Sequence, residues 1–197
     1  MPALVWFRRD LRVHDNSALH HAAKQSDGVI ALFVVTPEQW RQHDDAEAKI
    51  SFWMQNLQCL SDELETLNIP LLIRSCDSFN ESPDVVISIA RQHNCSQLFF
   101  NREYEVNEDR RDALTTESCN AEGIDVQTFH DRIIVPPEEI ETKDGRFYRV
   151  FTPYRRVWDT KAIDFAKVLP KPKPQDELNI ESDPVPDSVP GFDLTNA

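Results

Sequence analysis

The sequence predicts an α/β protein: a doubly wound, Rossmann-like sheet of five parallel strands in the order 3-2-1-4-5, with helices on both faces. Three observations carry that expectation. Short apolar runs recur at 4–7, 29–35, 71–74, 98–101 and 124–129. The segments between them repeat apolar residues every three or four positions, so strand and helix alternate. The first run starts almost at the amino terminus and is nearly continuous in its hydrophobicity, the pattern of a central strand covered on both sides.

The elements follow in order. Asp15 or Asn16 is placed to cap a first helix carrying Leu19, Ala22 and Ala23, because a short side-chain oxygen accepts the free N–H groups of the first turn. Pro37 to Trp40 read as a loop after the second strand, and His43 ends it. A long helix shows Ile50, Trp53, Met54, Leu57, Leu60, Leu64 and Leu67 on one face, which packs on the sheet. Ser82-Pro83 starts the next helix, with proline at a position that needs no N–H; Val85, Val86, Ile89 and Ala90 supply its buried face. Asn107, followed by Glu108 and Asp109, opens another helix with negative charge where the helix dipole is positive.

After residue 129 the pattern changes. Residues 132–137 are extended, 141–150 read as a hairpin turning at Lys143-Asp144-Gly145, and a short helix carries Tyr154, Val157, Trp158, Ile163 and Phe165. Residues 1–169 therefore form one α/β domain. In 170–197, six of the 13 prolines stand among Asp and Glu, a composition expected to bury too little apolar surface to order itself. It reads as an acidic linker towards a further domain.

At 197 residues and 40% hydrophobic, the chain can build one such core. A net charge of -13 and a pI near 4.8 set it against polyanions, so the chain alone is expected to bind DNA poorly. Cys59, Cys76, Cys95 and Cys119 form no C-x-x-C pair, which fits reduced, mostly buried thiols rather than a zinc or dithiol site. No apolar run reaches membrane-spanning length and no signal-type segment opens the chain, so a soluble, cytoplasmic protein is expected.

Chemistry concentrates where the first strand ends. Leu4-Val5-Trp6-Phe7 runs straight into Arg8-Arg9-Asp10-Leu11-Arg12-Val13-His14-Asp15-Asn16, at the strand ends where doubly wound sheets open their ligand crevice. Phosphates in such folds usually rest on a Gly-rich turn. The only glycines here are Gly28, Gly123, Gly145 and Gly191, none of them after the first or fourth strand. That disfavours NAD and ATP and suits a flat heteroaromatic ligand held by side chains. Arg8, Arg9 and Arg12 are candidates to clamp an anion, or to form an ion-pair network with Asp10 and Asp15. His20-His21 are adjacent on a helix and diverge, His14 and His130 have no companion at ligand spacing, and no metal site is expected. No nucleophile–base arrangement or defined acid–base pair is recognisable, so no catalytic residue is assigned.

The opening block, together with Phe99-Phe100-Asn101-Arg102-Glu103-Tyr104-Glu105-Val106-Asn107-Glu108 and with Phe147-Tyr148-Arg149-Val150-Phe151-Thr152-Pro153-Tyr154 followed by Trp158, resembles the DNA photolyase and cryptochrome family. The resemblance covers essentially the whole chain but only the first part of a family member, and is most like the bacterial folate-type enzymes that repair cyclobutane pyrimidine dimers. It implies an antenna domain that binds 5,10-methenyltetrahydrofolate, with a deazaflavin left open as the other antenna, and passes excitation to FAD. The FAD belongs to a longer helical carboxy-terminal domain, which is the implied partner and also carries the contact with DNA.

It also implies that Asn107 and Glu108 contact the folate. A carboxylate can accept the amino group and neighbouring ring N–H of a pterin together, and an amide both donates and accepts. Read without the resemblance, Asn107 is a helix N-cap and Glu108 a first-turn carboxylate. His43 and Glu105 are further candidate cofactor contacts, and Trp40 is a core residue. Two other readings stay open: a light-signalling cryptochrome without repair, and a stand-alone nucleotide-binding module of the same topology, similar to universal-stress proteins or electron-transfer flavoproteins.

Overall fold

The computed structural model describes residues 1–194; the last three positions of the expected linker, 195–197, lie outside the described residues. Five strands, β1 (Ala3–Phe7), β2 (Val29–Val35), β3 (Leu71–Ser75), β4 (Gln97–Asn101) and β5 (Asp125–Phe129), form one parallel sheet in the order β3-β2-β1-β4-β5. Crossovers are made by α1 (Ser17–Gln25), α2 (Pro37–Gln42), α3 (Glu47–Glu65), α4 (Ser82–Gln92) and α5 (Val106–Ala121). The expected class and strand order hold.

Alternate residues of each strand feed two separate cores, as the pleat requires. Val5, Phe7, Ala31, Phe33 and Phe99 pack against α1 and against Ile50, Leu57, Leu60 and Leu64 of α3. Leu4, Trp6, Ile30, Leu32 and Phe100 pack against Val86, Ile89 and Ala90 of α4 and Cys119 of α5. Each fully buried leucine on α3 contributes roughly 1.5–3 kcal/mol through its removal from water. The central strands β1 and β2 are buried along their whole length, whereas β5 alternates between exposed and half-buried positions. Burial pushes the thiols of Cys95 and Cys119 up to about 11, which keeps them inert; no disulfide forms, and Cys59 is exposed.

Two local expectations need correction. The loop after β2 contains a helix, α2, because Pro37 pre-sets the first helical position and Trp40 finds a buried place against Trp53. In α5 the cap is Glu105, in extended conformation, and the ladder starts with the Asp109 N–H donating to the Glu105 carbonyl at 2.8 Å. Asn107 and Glu108 are thus the second and third residues of the helix, and Asn107 does not cap it. Asn16, not Asp15, caps α1, its side chain accepting from the Leu19 N–H.

The hairpin appears in reduced form, as one antiparallel bridge between Glu141 and Phe147 with Gly145 at φ +67 in the turn. It leads into α6 (Phe151–Phe165), none of whose residues is buried.

The proline-rich segment is packed rather than loose. Leu178 and Ile180 lie on the α4 face, Ser182 and Asp183 bond the free edge of β3, and Val185, Val189 and Phe192 reach the α3 face. Gln175 anchors it, accepting from the Val29 N–H at 2.7 Å and donating to the Val29 and Asn68 carbonyls. Composition misses this because a few spaced apolar residues and one amide suffice when the sheet edge needs a cover. No helix among the described residues is long and apolar enough to cross a membrane.

Candidate functional site

The carboxyl ends of β1 and β4, neighbours across the point where strand order reverses, carry the site. Its floor is made of amides. Asn101, the last residue of β4, accepts from the Ala18 N–H of α1 at 2.9 Å and donates to Asp10 at 2.7 Å and to Asn16 at 2.9 Å. Asp10 also accepts from the Arg8 N–H at 2.8 Å. The β1 loop is therefore tied to the start of α1, and its arginines are aimed across the sheet towards β4 and α5.

Above that floor the arginines form ion pairs, but not with the partners the sequence suggested. Arg111 of α5 donates to Glu103 and Asp112, both at 2.7 Å, and Arg8 lies 3.4 Å from Asp112. Arg9 bonds Glu105 at 2.7 Å and Glu108 at 2.6 Å, and Arg12 bonds Asp131 at 2.7 Å. The carboxylates of Asp10 and Asp15 pair with none of these arginines; they bond backbone and amide N–H groups. Rings separate the charged groups: Arg8 sits between Phe100 and Trp6, and Arg111 between Trp6 and Phe79, at 4.6 to 4.9 Å from the ring centres. Burial pushes the Glu103 carboxyl up, but Arg8, Arg111 and Arg9 outweigh it and hold the group below the usual carboxylate range.

The outer rim holds the four residues singled out as cofactor contacts. His43, at the end of α2, and Asn107 meet at 3.0 Å, and Gln39 reaches the same ring nitrogen at 3.0 Å. Two side-chain amides, of Gln39 and Asn107, thus converge on one ring nitrogen, Nε2. Glu105 is half-exposed and paired with Arg9 and Arg132. Desolvation pushes its carboxyl up, yet bonds from its own backbone N–H and Arg132 and the charges of Arg9 and Arg132 hold it at about 2. Glu108 is buried, and Arg9 takes its Oε1. The structure thus brings His43 and Asn107 together and joins Glu105 and Glu108 through Arg9.

Sequence reasoning did not assign Glu103, Arg111 or Asp112, nor a second cluster beside the rim in which Tyr104 and His130 share a 2.7 Å bond and His130 meets Glu138 at 2.8 Å. The signal that could have found them is position: Glu108, Arg111, Asp112 and Thr115 share the face of α5 where a packing helix would carry leucines, and all four are buried. No group of His, Cys, Asp or Glu that could hold a metal occurs among the described residues.

The carboxyl ends of β1 and β4 in this doubly wound domain thus carry a rim lined by side chains, with no glycine in the turn after either strand. The chain belongs to the DNA photolyase family: the family model described as DNA photolyase matches residues 3–175. It is 40% identical over 157 residues to the deoxyribodipyrimidine photo-lyase of Vibrio cholerae, covering 80% of this chain and 34% of that protein. Against the Escherichia coli enzyme it is 34% identical over 183 residues, 92% of this chain and 38% of the relative. A bacterial class III photolyase from Agrobacterium tumefaciens shares the fold at a TM-score of 0.80 and 23% identity, over 93% of this chain and 37% of that one. The chain spans about a third of the length of these relatives and corresponds to their amino-terminal domain.

Proposed function

We propose that this chain is the light-harvesting domain of a deoxyribodipyrimidine photo-lyase, and that its antenna is 5,10-methenyltetrahydrofolate held at the rim. The observation that carries this reading is the convergence of His43 and Asn107, 3.0 Å apart, beside Glu105 and Glu108 at the switch point. The donor set suits a pterin. Asn107 offers an amide that can turn from His43 to the ligand, Glu105 is a half-exposed, ionised acceptor whose oxygens are shared with Arg9 and Arg132, and Glu108 keeps a second oxygen beyond the one Arg9 takes. Arg9 fixes both carboxylates in place. When bound, the folate would supply near-ultraviolet and blue absorption, and FAD in a companion helical domain the electron that splits the dimer.

The companion domain has a place to dock. Phe147, Phe151 and Ile163, on the hairpin and α6, are 69 to 80% exposed. Patches of this kind mark interaction surfaces. DNA contact would belong to the joined protein, since this domain's net charge of -13 opposes it.

The test is Glu108→Gln in the protein joined to its helical domain. Losing a charge-assisted acceptor should weaken folate by roughly 2 kcal/mol or more, read as lost absorbance of the bound folate. Equal folate occupancy in the two proteins would remove Glu108 from the site. Because Gln also loosens Arg9, thermal unfolding of the same samples separates a folding defect from a binding one.

A further inference from the structure

Behind Arg9, at the switch point, lies a cavity of about 40 Å³ walled by Trp6, Arg8, Trp40, Trp53, Phe79 and Glu103. Three polar atoms of this wall are buried without a hydrogen-bond partner among the described residues: Trp6 Nε1, Arg8 Nε and Glu103 Oε1. The side chains of Arg8 and Glu103 are only 7 and 4% exposed. Arg9 Nε at 3.5 Å and Arg132 Nη1 at 3.8 Å attract the Glu103 oxygen without forming a hydrogen bond to it. The three atoms are complementary in kind, two N–H donors and one carboxylate acceptor.

A buried donor or acceptor left without a partner forfeits its hydration, so native interiors answer such groups with protein or with ordered water. One water occupies roughly 10–15 Å³ of such space and wants two to four polar partners, so this cavity has room for about two or three. Threonine and serine hydroxyls, from Thr36 and Ser82, also line it. A fused-ring ligand needs several times that room, because sites for such molecules run to roughly 300 Å³ and above. The indoles of Trp6 and Trp53 are among the side chains that bound this small space.

We propose that this cavity is a hydrated site in which two or three waters join Trp6 Nε1–H and Arg8 Nε–H to Glu103 Oε1, and that it closes the switch-point crevice to fused-ring aromatic ligands. Its consequence rests on the antenna reading: the chromophore lies outside the crevice, on the shoulder formed by His43 and Asn107.

The test uses the 197-residue chain itself. A crystal structure that shows ordered solvent should place water within hydrogen-bond distance of all three atoms; a dry cavity would overturn the proposal. In solution the chain's 4 tryptophans give separate indole N–H signals, and Trp6→Phe identifies that of Trp6. That signal should show a cross-peak to long-lived bound water and should not move when lumiflavin, a bare three-ring flavin, is titrated in. A saturable shift of the Trp6 signal with lumiflavin would show the crevice to be open and sink the proposal, while leaving the antenna reading intact. Failure of the joined protein to bind folate would sink the antenna reading and leave the waters in place.

Discussion

The switch-point edge and the α6 arm belong to the same chain and are built on opposite terms. At the edge, Arg8, Arg111, Glu103 and Asp112 are nearly inaccessible, and each charge has an opposite charge or an aromatic face beside it. In the arm, fifteen residues of helix bury none of their side chains, and its apolar groups face outward. The charges of the edge are paired within this chain. The arm leaves Phe151, Ile163 and Phe165 exposed. The proposed function needs both: rigidity where a folate would sit and unspent apolar area where a helical domain would dock.

The largest expected effect lies at the edge. Arg111→Met keeps the volume of the side chain but leaves Glu103 and Asp112 buried without their shared partner, which should cost about 3–5 kcal/mol in urea unfolding. A loss under about 1 kcal/mol would show that the buried ion pairs are not what organises this end of the sheet.

A smaller effect tests the rim. Glu105 has its carboxyl held at about 2 in the folded chain, so the stability it contributes is complete above the ordinary value of 4.5 and is lost as pH falls from there towards 2. Glu105→Gln should flatten that part of the profile of melting temperature against pH. An unchanged slope would mean that Arg9 and Arg132 are not holding the group charged.

The smallest effect belongs to the arm. Ile163→Ser should change the stability of the isolated chain by no more than about 0.5 kcal/mol, because an exposed side chain loses nothing on folding, while weakening assembly with the helical domain. A large loss in the isolated chain would show that α6 belongs to this domain's own core.

The contrast also explains what the sequence disclosed. The alternation of strand and helix and the α3 and α4 faces were legible because each rests on a period that repeats along the chain, and the burial of Trp40 because a large aromatic side chain usually packs. The corrected parts depend on partners far away in sequence. Asn107 passes as a cap until the ladder is seen to start at Glu105. Arg8 and Arg12 find Asp112 and Asp131 rather than the nearby Asp10 and Asp15, since geometry across strands decides such pairs. The segment after Pro170 looked unable to order itself because composition averages over Gln175, Leu178 and Val189, the few residues that pin it. At the rim, the residue types and the neighbourhood of β1 and β4 were visible, but the 3.0 Å meeting of His43 with Asn107 requires α2 and α5 to be folded first.

Asn107→Ala offers the most direct measurement, because the amide lies on an exposed part of α5 and its loss should leave the fold unchanged. In the protein joined to its helical domain, repair of pyrimidine dimers should be compared under light absorbed by folate and under light absorbed only by flavin. The account expects folate-driven repair and folate occupancy to fall together while flavin-driven repair stays at the wild-type rate. Equal folate occupancy and equal folate-driven repair in Asn107→Ala and wild type would contradict it and move the antenna away from this rim.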